Sequence, residues 1–326
     1  MSAPDHAESQ AGMQISRQSG ADWRRRPERS NMTMLRIMVW ISLRLGRPAG
    51  RVVLHLIAVY FLLFAPASRA ASRDYLARVL GRPARLADLY RHVFSFAATI
   101  HDRVYLLNGR FDLFDISVEG DALMRDLLAD GQGVFLVGAH MGSFEVMRAL
   151  GRRHAGLHVA MAMYEENARK LNQTLAAISP MAQQDVIGLG HVDSMLKISA
   201  SLEQGTLVGM LADRRLGGDA TRTLSFLGGD AELPLGPFRM AAILRRPVVF
   251  MAGLYLGGNR YQIHFERLAD FSGLQAGQRQ AAIDQAMQRY VELLERRCRL
   301  FPYNWFNFFD FWRTAPAAGE QGQGRP

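Results

Sequence analysis

The chain has 326 residues, of which 49% are apolar and 21% charged, and its formal net charge is +9. This composition is typical of a globular protein and excludes a wholly disordered one. The length suffices for one large domain with appendages or for two domains. The single cysteine, Cys298, excludes an intrachain disulfide and a cysteine-only metal site. Its setting, Glu295-Arg-Arg-Cys298-Arg, favours a packing thiol on a helix over a nucleophile.

The positive charge is concentrated in the first third of the chain. Residues 1–110 hold 17 arginines, no lysine and 7 acidic residues, whereas the remainder is close to neutral. Such an excess can face nucleic acid, an anionic membrane or solvent. No zinc-finger, RNP-type or basic-zipper pattern accompanies it, so a nucleic-acid partner is not expected.

The most apolar segment, residues 52–65, lies between Arg51 and Pro66. Its 14 residues would form a helix of about 21 Å, short of the roughly 30 Å hydrocarbon core of a bilayer. The apolar segment 34–45 precedes it and contains two arginines. We therefore predict a helix or helix pair that lies in or dips into a membrane face, with its arginines near lipid phosphates. A true span and a core helix of a soluble domain are the alternatives.

The chain is predicted to have four regions. These are a disordered tail (1–20), a basic and hydrophobic membrane-associating segment (21–70), an α/β domain with leading helices (71–313) and a second disordered tail (314–326). Apolar residues recur at helical spacing over 75–107, which predicts two helices broken near Gly81-Arg-Pro83.

From residue 120 onward, apolar runs alternate with amphipathic ones. Strands are expected at 133–138, 157–163, 185–189, 206–212, 247–256 and 261–267, and helices at 122–129, 143–153, 165–178, 192–203, 238–244 and 278–300. This alternation predicts an α/β fold with a largely parallel central sheet covered by helices on both faces. The last two strands are expected to pair through Gly257-Gly258-Asn259. Ligands of such sheets bind outside the carboxyl ends of the strands.

His140 lies at such a strand end, in a turn of small residues, and Glu145 follows with four residues between them. A histidine base oriented by a nearby carboxylate is a recurrent means of activating a hydroxyl or an amine. Gly142 would let a substrate approach, and a helix beginning near Ser143 would direct backbone N–H groups at a developing anion. The plainer alternatives are a packing histidine and a glutamate that complements the helix dipole.

Two further blocks follow. Asp213 and Arg214 come directly after an apolar strand, where they can form an ion pair that supports the site, or Arg214 can bind a substrate phosphate. The alternative is a solvated loop. The glycine-containing stretch from Phe226 and Gly228 to Gly236 and Pro237 leads into a helix and can line a channel for a long acyl chain.

In this order, the three blocks resemble the lysophospholipid acyltransferase superfamily and, within it, the lipid A biosynthesis (lauroyl/myristoyl) acyltransferase branch. The resemblance spans roughly residues 30–313. The family pattern is His-x4-Asp/Glu, then Asp-x-Arg or Asp-Arg, then Phe-x-Gly followed by a Pro/Thr-x-Gly-Pro turn. The matching residues are His140 with Glu145, Asp213-Arg214, Phe226-Leu-Gly228 and Pro234-Leu-Gly236-Pro237.

The resemblance implies a membrane-associated acyltransferase at the cytoplasmic face of the inner membrane. It would move a fatty acyl group from an acyl-carrier-protein or coenzyme A thioester to a hydroxyl of a lipid or lipid precursor, without a metal or resident cofactor. His140 would be the general base and Glu145 would fix the imidazole tautomer. Amides near Gly142 and Ser143, with Arg214, would support the oxyanion. Substrate-binding roles would extend to Asp213, Phe226, Gly228, Gly236 and Pro237.

Two other functions remain open at this point. One is an N-acyltransferase that makes an amide-linked lipid, and the other is a non-catalytic, basic lipid-binding or scaffold protein. The intact histidine and glutamate favour catalysis.

The C-terminus departs from the family pattern. Lipid A enzymes tend to end in a Trp-containing, strongly basic segment, whereas residues 302–312 are aromatic and acidic, with only Arg313 nearby. This departure predicts an acceptor other than a multiply phosphorylated disaccharide. The segment itself is expected to be an aromatic core strand or a tail that clasps the domain, and the alternative is an interfacial aromatic belt.

Overall fold

The computed structural model describes residues 28–147, 157–164, 185–190, 193–215 and 220–312. The two predicted tails, the predicted helix at 165–178 and the part of the predicted helix 143–153 beyond residue 147 lie outside these residues.

Three helices lead into the sheet: α1 (Glu28–Phe64), α2 (Pro66–Leu80) and α3 (Leu86–Leu107). Gly46, with φ 81°, interrupts α1, and the helix resumes around Pro48 because proline fits a first helical turn. Gly81, in the left-handed region, ends α2 and confirms the predicted break. Helix α2 begins at Pro66, earlier than predicted. The proposed domain division at residue 70 therefore falls inside a helix and stays a prediction.

The remaining helices and strands follow in chain order. They are β1 (Asp115–Glu119), α4 (Asp121–Leu128), β2 (Phe135–Gly138), β3 (Val159–Tyr164), β4 (Asp185–Leu189), α5 (Ser194–Glu203), β5 (Leu207–Leu211), β6 (Thr221–Phe226), β7 (Gly229–Pro234), α6 (Gly236–Leu244), β8 (Pro247–Gly257), β9 (Arg260–Asp270) and α7 (Arg279–Leu300). Short 3-10 turns lie at Phe111–Leu113, Phe144–Met147 and Ala276–Gln278.

Within the described residues the main sheet has the order β1-β9-β8-β2-β5-β3-β4. Strands β8, β2, β5, β3 and β4 run parallel, while β9 returns antiparallel to β8 and carries β1 beside it. The largely parallel sheet and the β8–β9 hairpin are thus confirmed. Strand β1 was not predicted, because its sequence Asp-Ile-Ser-Val-Glu is short and mostly polar.

Helices cover both faces of the sheet, as predicted. The side chains of β2 alternate, so that Phe135 and Val137 pack on the face formed with α2, α5, α6 and α7. Val134 and Leu136 pack on the opposite face with α1, α3 and α4. A strand buried on both faces requires this continuous apolar sequence.

Strands β6 and β7 form a separate hairpin where an apolar channel loop was expected. Leu227 and Gly228 occupy its tip with φ values of 50° and 74°, as a type I′ turn requires. Phe226 is fully buried, with its ring 5.3 Å from that of Trp305. Aromatic neighbours surround the Phe226 side chain, and its role in lining an acyl channel stays a prediction.

Helix α1 is docked on the domain along one side. Arg47 donates to both carboxylate oxygens of Asp102 on α3, at 2.7 and 2.9 Å, and Arg51 donates to the Tyr255 hydroxyl at 2.9 Å. Leu54 is fully buried. These contacts fix the helix to α3 and to the β8–β9 hairpin.

The other side of α1 is apolar and exposed. We call this surface the outer face of α1, and it comprises Val52, Leu56, Val59, Tyr60, Phe61, Leu63 and Phe64. The segment Ser42–Phe64 has 23 residues and contains an 18-residue window with a mean hydropathy of 1.4, enough by length and composition to cross a membrane. It is longer than the 14-residue helix predicted, because helical structure continues upstream of Arg51, across the break at Gly46.

Candidate active site

His140 lies in a tight turn just beyond β2. Gly142 has φ 62°, and a Cβ there would lie 1.9 Å from the Gly253 carbonyl oxygen on β8, so only glycine fits. The Gly142 amide donates to the Asn304 carbonyl at 2.8 Å, and the Ser143 amide donates to the Gly253 carbonyl at 2.7 Å. The turn is thus held between Gly253 on β8 and Asn304 near the C-terminus.

These bonds correct the expected oxyanion role of Gly142 and Ser143. Each backbone amide carries one proton, and both protons already point at protein carbonyls. An oxyanion would have to displace a buried bond to reach either amide. Gly142 packs closely against β8, and its role in substrate approach stays a prediction.

Asp213 holds the imidazole of His140. Its Oδ1 lies 2.7 Å from His140 Nδ1, and its Oδ2 accepts the His140 backbone N–H at 3.0 Å. Because a carboxylate only accepts, Nδ1 carries the proton and Nε2 carries the lone pair. The His140 side chain is 32% exposed, whereas that of Asp213 is fully buried. The acceptor nitrogen of His140, Nε2, is therefore the ring nitrogen that does not face the Asp213 carboxylate.

Two further donors complete the surroundings of Asp213. The indole N–H of Trp305 and the amide of Asn307 donate to Oδ2 at 3.0 and 2.9 Å. Burial by itself raises the pKa of the Asp213 carboxyl. The charge and hydrogen bonds of His140, together with the charge of Arg214, outweigh burial and hold that pKa well below its usual range. Asp213 is therefore an anion at neutral pH.

Glu145 has partners other than His140. It accepts from the Ser143 hydroxyl at 2.9 Å, and its Oε1 lies 2.8 Å from Nε of Arg103 on α3. We expected Glu145 to fix the imidazole tautomer, but the structure gives this contact to Asp213, which accepts the hydrogen bond of His140 Nδ1. Residues 144–147 form a 3-10 turn that buries Glu145, and the arginine supplies its counter-charge. A catalytic role for Glu145 stays a prediction.

Arg214 contacts residues 306–309 near the C-terminus. Its Nε donates to Asn307 Oδ1 at 2.6 Å, its Nη2 donates to the Phe306 carbonyl at 2.9 Å, and its guanidinium lies 5.4 Å from the Phe309 ring centroid. The described contacts thus give Arg214 a supporting function beside Asp213. Its predicted roles toward an oxyanion or a phosphate stay untested.

The C-terminal segment, residues 301–312, crosses the site. The Phe306 amide donates to the His140 carbonyl at 2.8 Å, and Trp305 forms an antiparallel bridge with Met141. The Asn304 side chain pairs with both backbone groups of Tyr255, at 2.7 and 3.0 Å. The prediction of a tail that clasps the domain is confirmed.

The Gly-Pro block packs behind β2. Gly236 and Pro237 open α6, as predicted, and Pro237 is buried. Phe238 then contacts Tyr290, whose hydroxyl donates to the Gly138 carbonyl at 3.0 Å. No described contact joins Gly228, Gly236 or Pro237 to His140, so their substrate-binding roles stay predictions.

Sequence reasoning missed Trp305, Asn307 and Arg103. The sequence did contain a signal for Trp305 and Asn307, because two asparagines, Asn304 and Asn307, interrupt an otherwise aromatic run. Amides buried among aromatic rings need hydrogen-bond partners, and such partners indicate a polar centre beneath the segment. Arg103 lies on an amphipathic helix and gave no such signal.

Cys298 is fully buried beside Tyr75, and burial raises the pKa of its thiol. The residue is therefore a packing thiol, as predicted. Within the described ranges, no group of three or more His, Cys, Asp or Glu side chains is arranged to hold a metal ion.

A histidine held by a buried carboxylate at the carboxyl edge of a parallel sheet is an arrangement that can activate a hydroxyl or an amine. Residues 19–314 match the model of the bacterial lipid A biosynthesis acyltransferase family. The chain belongs to this family and is an acyltransferase, which confirms the resemblance in the three sequence blocks. No curated protein matches the chain.

Proposed function

We propose that the protein transfers a fatty acyl group from a thioester, carried by acyl-carrier protein or coenzyme A, to a hydroxyl of a lipid or lipid precursor. The observation that carries this proposal is the His140–Asp213 pair, in which the buried carboxylate fixes the proton on Nδ1 and leaves Nε2 as the base. Family membership supports the acyl-transfer reaction itself.

In the proposed reaction, Nε2 of His140 takes the proton of the acceptor hydroxyl as its oxygen attacks the thioester carbonyl carbon. The tetrahedral intermediate then collapses, an ester bond forms and the C–S bond breaks. The proton on His140 passes to the departing thiolate, which restores the base. Asp213 stabilises the imidazolium between these steps, as a buried carboxylate does for a histidine base.

The outer face of α1 supports attachment to a membrane, where a lipid acceptor resides. Seven apolar or aromatic side chains are exposed there together, and a large exposed apolar patch is typical of a membrane or protein contact. Because Arg47 and Arg51 fix the opposite side of α1 to the domain, we propose that the helix stays docked while its outer face enters the bilayer. We place this surface at the cytoplasmic face of the inner membrane, where both thioester donors occur.

The test is acyl transfer by the purified full-length chain from labelled acyl thioester to a membrane lipid extract. We expect His140→Ala to abolish transfer, because no base remains at the strand end. His158→Ala is the matched control, since His158 is exposed at the start of the β3 region. Equal turnover by wild type and His140→Ala would refute the general-base role.

A further inference from the structure

The C-terminal segment supplies two of the four hydrogen bonds that Asp213 accepts. The other two come from the ring and the backbone of His140 itself. Trp305 Nε1 and Asn307 Nδ2 both reach Oδ2, which leaves Oδ1 for the imidazole. Groups about ninety residues further along the chain therefore hold Oδ2 of the carboxylate together with the backbone N–H of His140.

The segment is itself anchored to the core. His92 on α3 donates from Nε2 to the Trp305 carbonyl at 2.8 Å, and the Ser72 hydroxyl on α2 lies 2.7 Å from Nδ1 of the same ring. The indole of Trp305 packs between Tyr75 and Phe226, with ring centroids at 4.9 and 5.3 Å. Trp305 and Asn307 are both buried. Their donors therefore have fixed positions.

We propose that Trp305 and Asn307 are positioning residues for acyl transfer, which hold the Asp213 carboxylate in the orientation that presents Oδ1 to His140. The inference rests on the proposed function. Without these donors, the buried Oδ2 keeps only the backbone N–H of His140 and the carboxylate can rotate. The imidazole would then lose its fixed tautomer and direction. Misplacement of a catalytic group by about 1 Å can cost about a hundredfold in rate.

Two substitutions test this directly. Asn307→Asp is nearly isosteric and keeps an oxygen for Arg214, but it removes the donor to Asp213 and adds a negative charge. Trp305→Phe removes the indole N–H and keeps most of the aromatic packing. For both we expect a fall in kcat of about tenfold to a hundredfold, with a change of less than about twofold in the KM for the thioester.

A structural role alone would not alter the pH dependence of the chemistry. The acid limb of kcat/KM reports protonation of the base. Trp305→Phe removes a donor that partly offsets the charge of the carboxylate, and Asn307→Asp adds a negative charge beside it, so both changes stabilise the protonated imidazole. We therefore expect the acid limb of both variants to move to higher pH.

A matched control makes the same chemical change elsewhere. Asn259→Asp removes an amide that donates to the Leu113 carbonyl. This variant should retain the wild-type profile. Activities are compared per folded protein, and Asn307→Asp decides the question if Trp305→Phe does not fold.

A wild-type kcat in Asn307→Asp, or a lower kcat with an unmoved acid limb, would overturn the positioning role. His140→Ala in the same assay separates this result from failure of the proposed function. If His140→Ala is inactive while both positioning variants behave as wild type, only the inference about the segment fails. If His140→Ala turns over normally, the proposed function itself fails.

Discussion

His140 and Asp213 lie 73 residues apart in the chain, yet the fold places their side chains 2.7 Å apart. Each follows a central parallel strand, His140 after β2 and Asp213 after β5, and these strands are neighbours in the sheet. Adjacent parallel strands bring the residues that follow them to one edge. The pair is thus a direct product of sheet topology. Glu145, the carboxylate five positions along from His140, is instead paired with Arg103.

His92 gives the folded state a pH dependence at the residue scale. Burial lowers the pKa of His92 from 6.5 to about 4, although its bond to the Trp305 carbonyl partly opposes this. Between these values the unfolded chain binds a proton that the folded chain does not, so stability falls as pH falls. We expect a loss of about 3 kcal/mol between pH 6.5 and 4. Carboxyls with lowered pKa values, such as Asp213, add to this loss as pH falls toward the unfolded carboxyl pKa of 3.8, at the lower end of the window.

Denaturant unfolding at several pH values between 4 and 7 measures this effect. His92→Gln keeps a donor for the Trp305 carbonyl but cannot titrate, so its stability should fall less steeply over the same range. Parallel pH profiles for wild type and variant would show that His92 is not the responsible group.

At the scale of elements, α1 divides into a polar anchor and an apolar outer face. The anchor is an ion pair between Arg47 and the buried Asp102, which also accepts from the Tyr261 hydroxyl at 2.9 Å. Removing one partner of a buried pair leaves an uncompensated charge, so the anchor resists separation of α1 from α3. The orientation of the outer face is therefore set by the contacts of α1 with α3 and with the β8–β9 hairpin.

We predict that Leu56→Glu weakens binding to vesicles of phosphatidylethanolamine and phosphatidylglycerol by about tenfold or more. Burial of a leucine side chain contributes about 1.5–3 kcal/mol, and each 1.4 kcal/mol is a tenfold change. Leu196→Glu on α5 is the matched control, because both leucines are 71% exposed. Vesicle co-sedimentation measures both variants. Equal losses by the two, or none by Leu56→Glu, would contradict membrane binding through α1.

At the scale of the whole molecule, the α/β class followed from alternation of apolar strands with helices. Strands such as β2 and β5 are buried on both faces, so their sequences are continuously apolar and readily recognised. Strand β1 and the β6–β7 hairpin were missed because edge and two-stranded elements alternate polar with apolar residues and resemble loops.

The site, like the fold, could be predicted in part from the sequence. His140 and Asp213 were recognisable because polar residues directly follow apolar strands. Their partnership, and the place of Glu145, were not recognisable, since these depend on strand order and on an arginine from a distant helix. For Trp305 and Asn307 the asparagines within the aromatic run indicated a buried polar centre, but the partner could not be named, because long-range hydrogen bonds leave no periodic trace in the sequence. The C-terminal segment joins α2, α3, β2 and β8 around one carboxylate, so the site is a property of the whole fold.

The most direct test of the account compares Asp213→Asn with Glu145→Gln in single-turnover acyl transfer by the full-length chain. Asparagine in place of Asp213 keeps the shape but loses the charge that fixes the imidazole, and we expect a rate loss of about a thousandfold or more. Glu145→Gln should lose at least tenfold less, because Glu145 contacts Arg103 and Ser143 rather than His140. A folded Asp213→Asn enzyme that retains more activity than Glu145→Gln would contradict the assignment of Asp213 as the partner of the base.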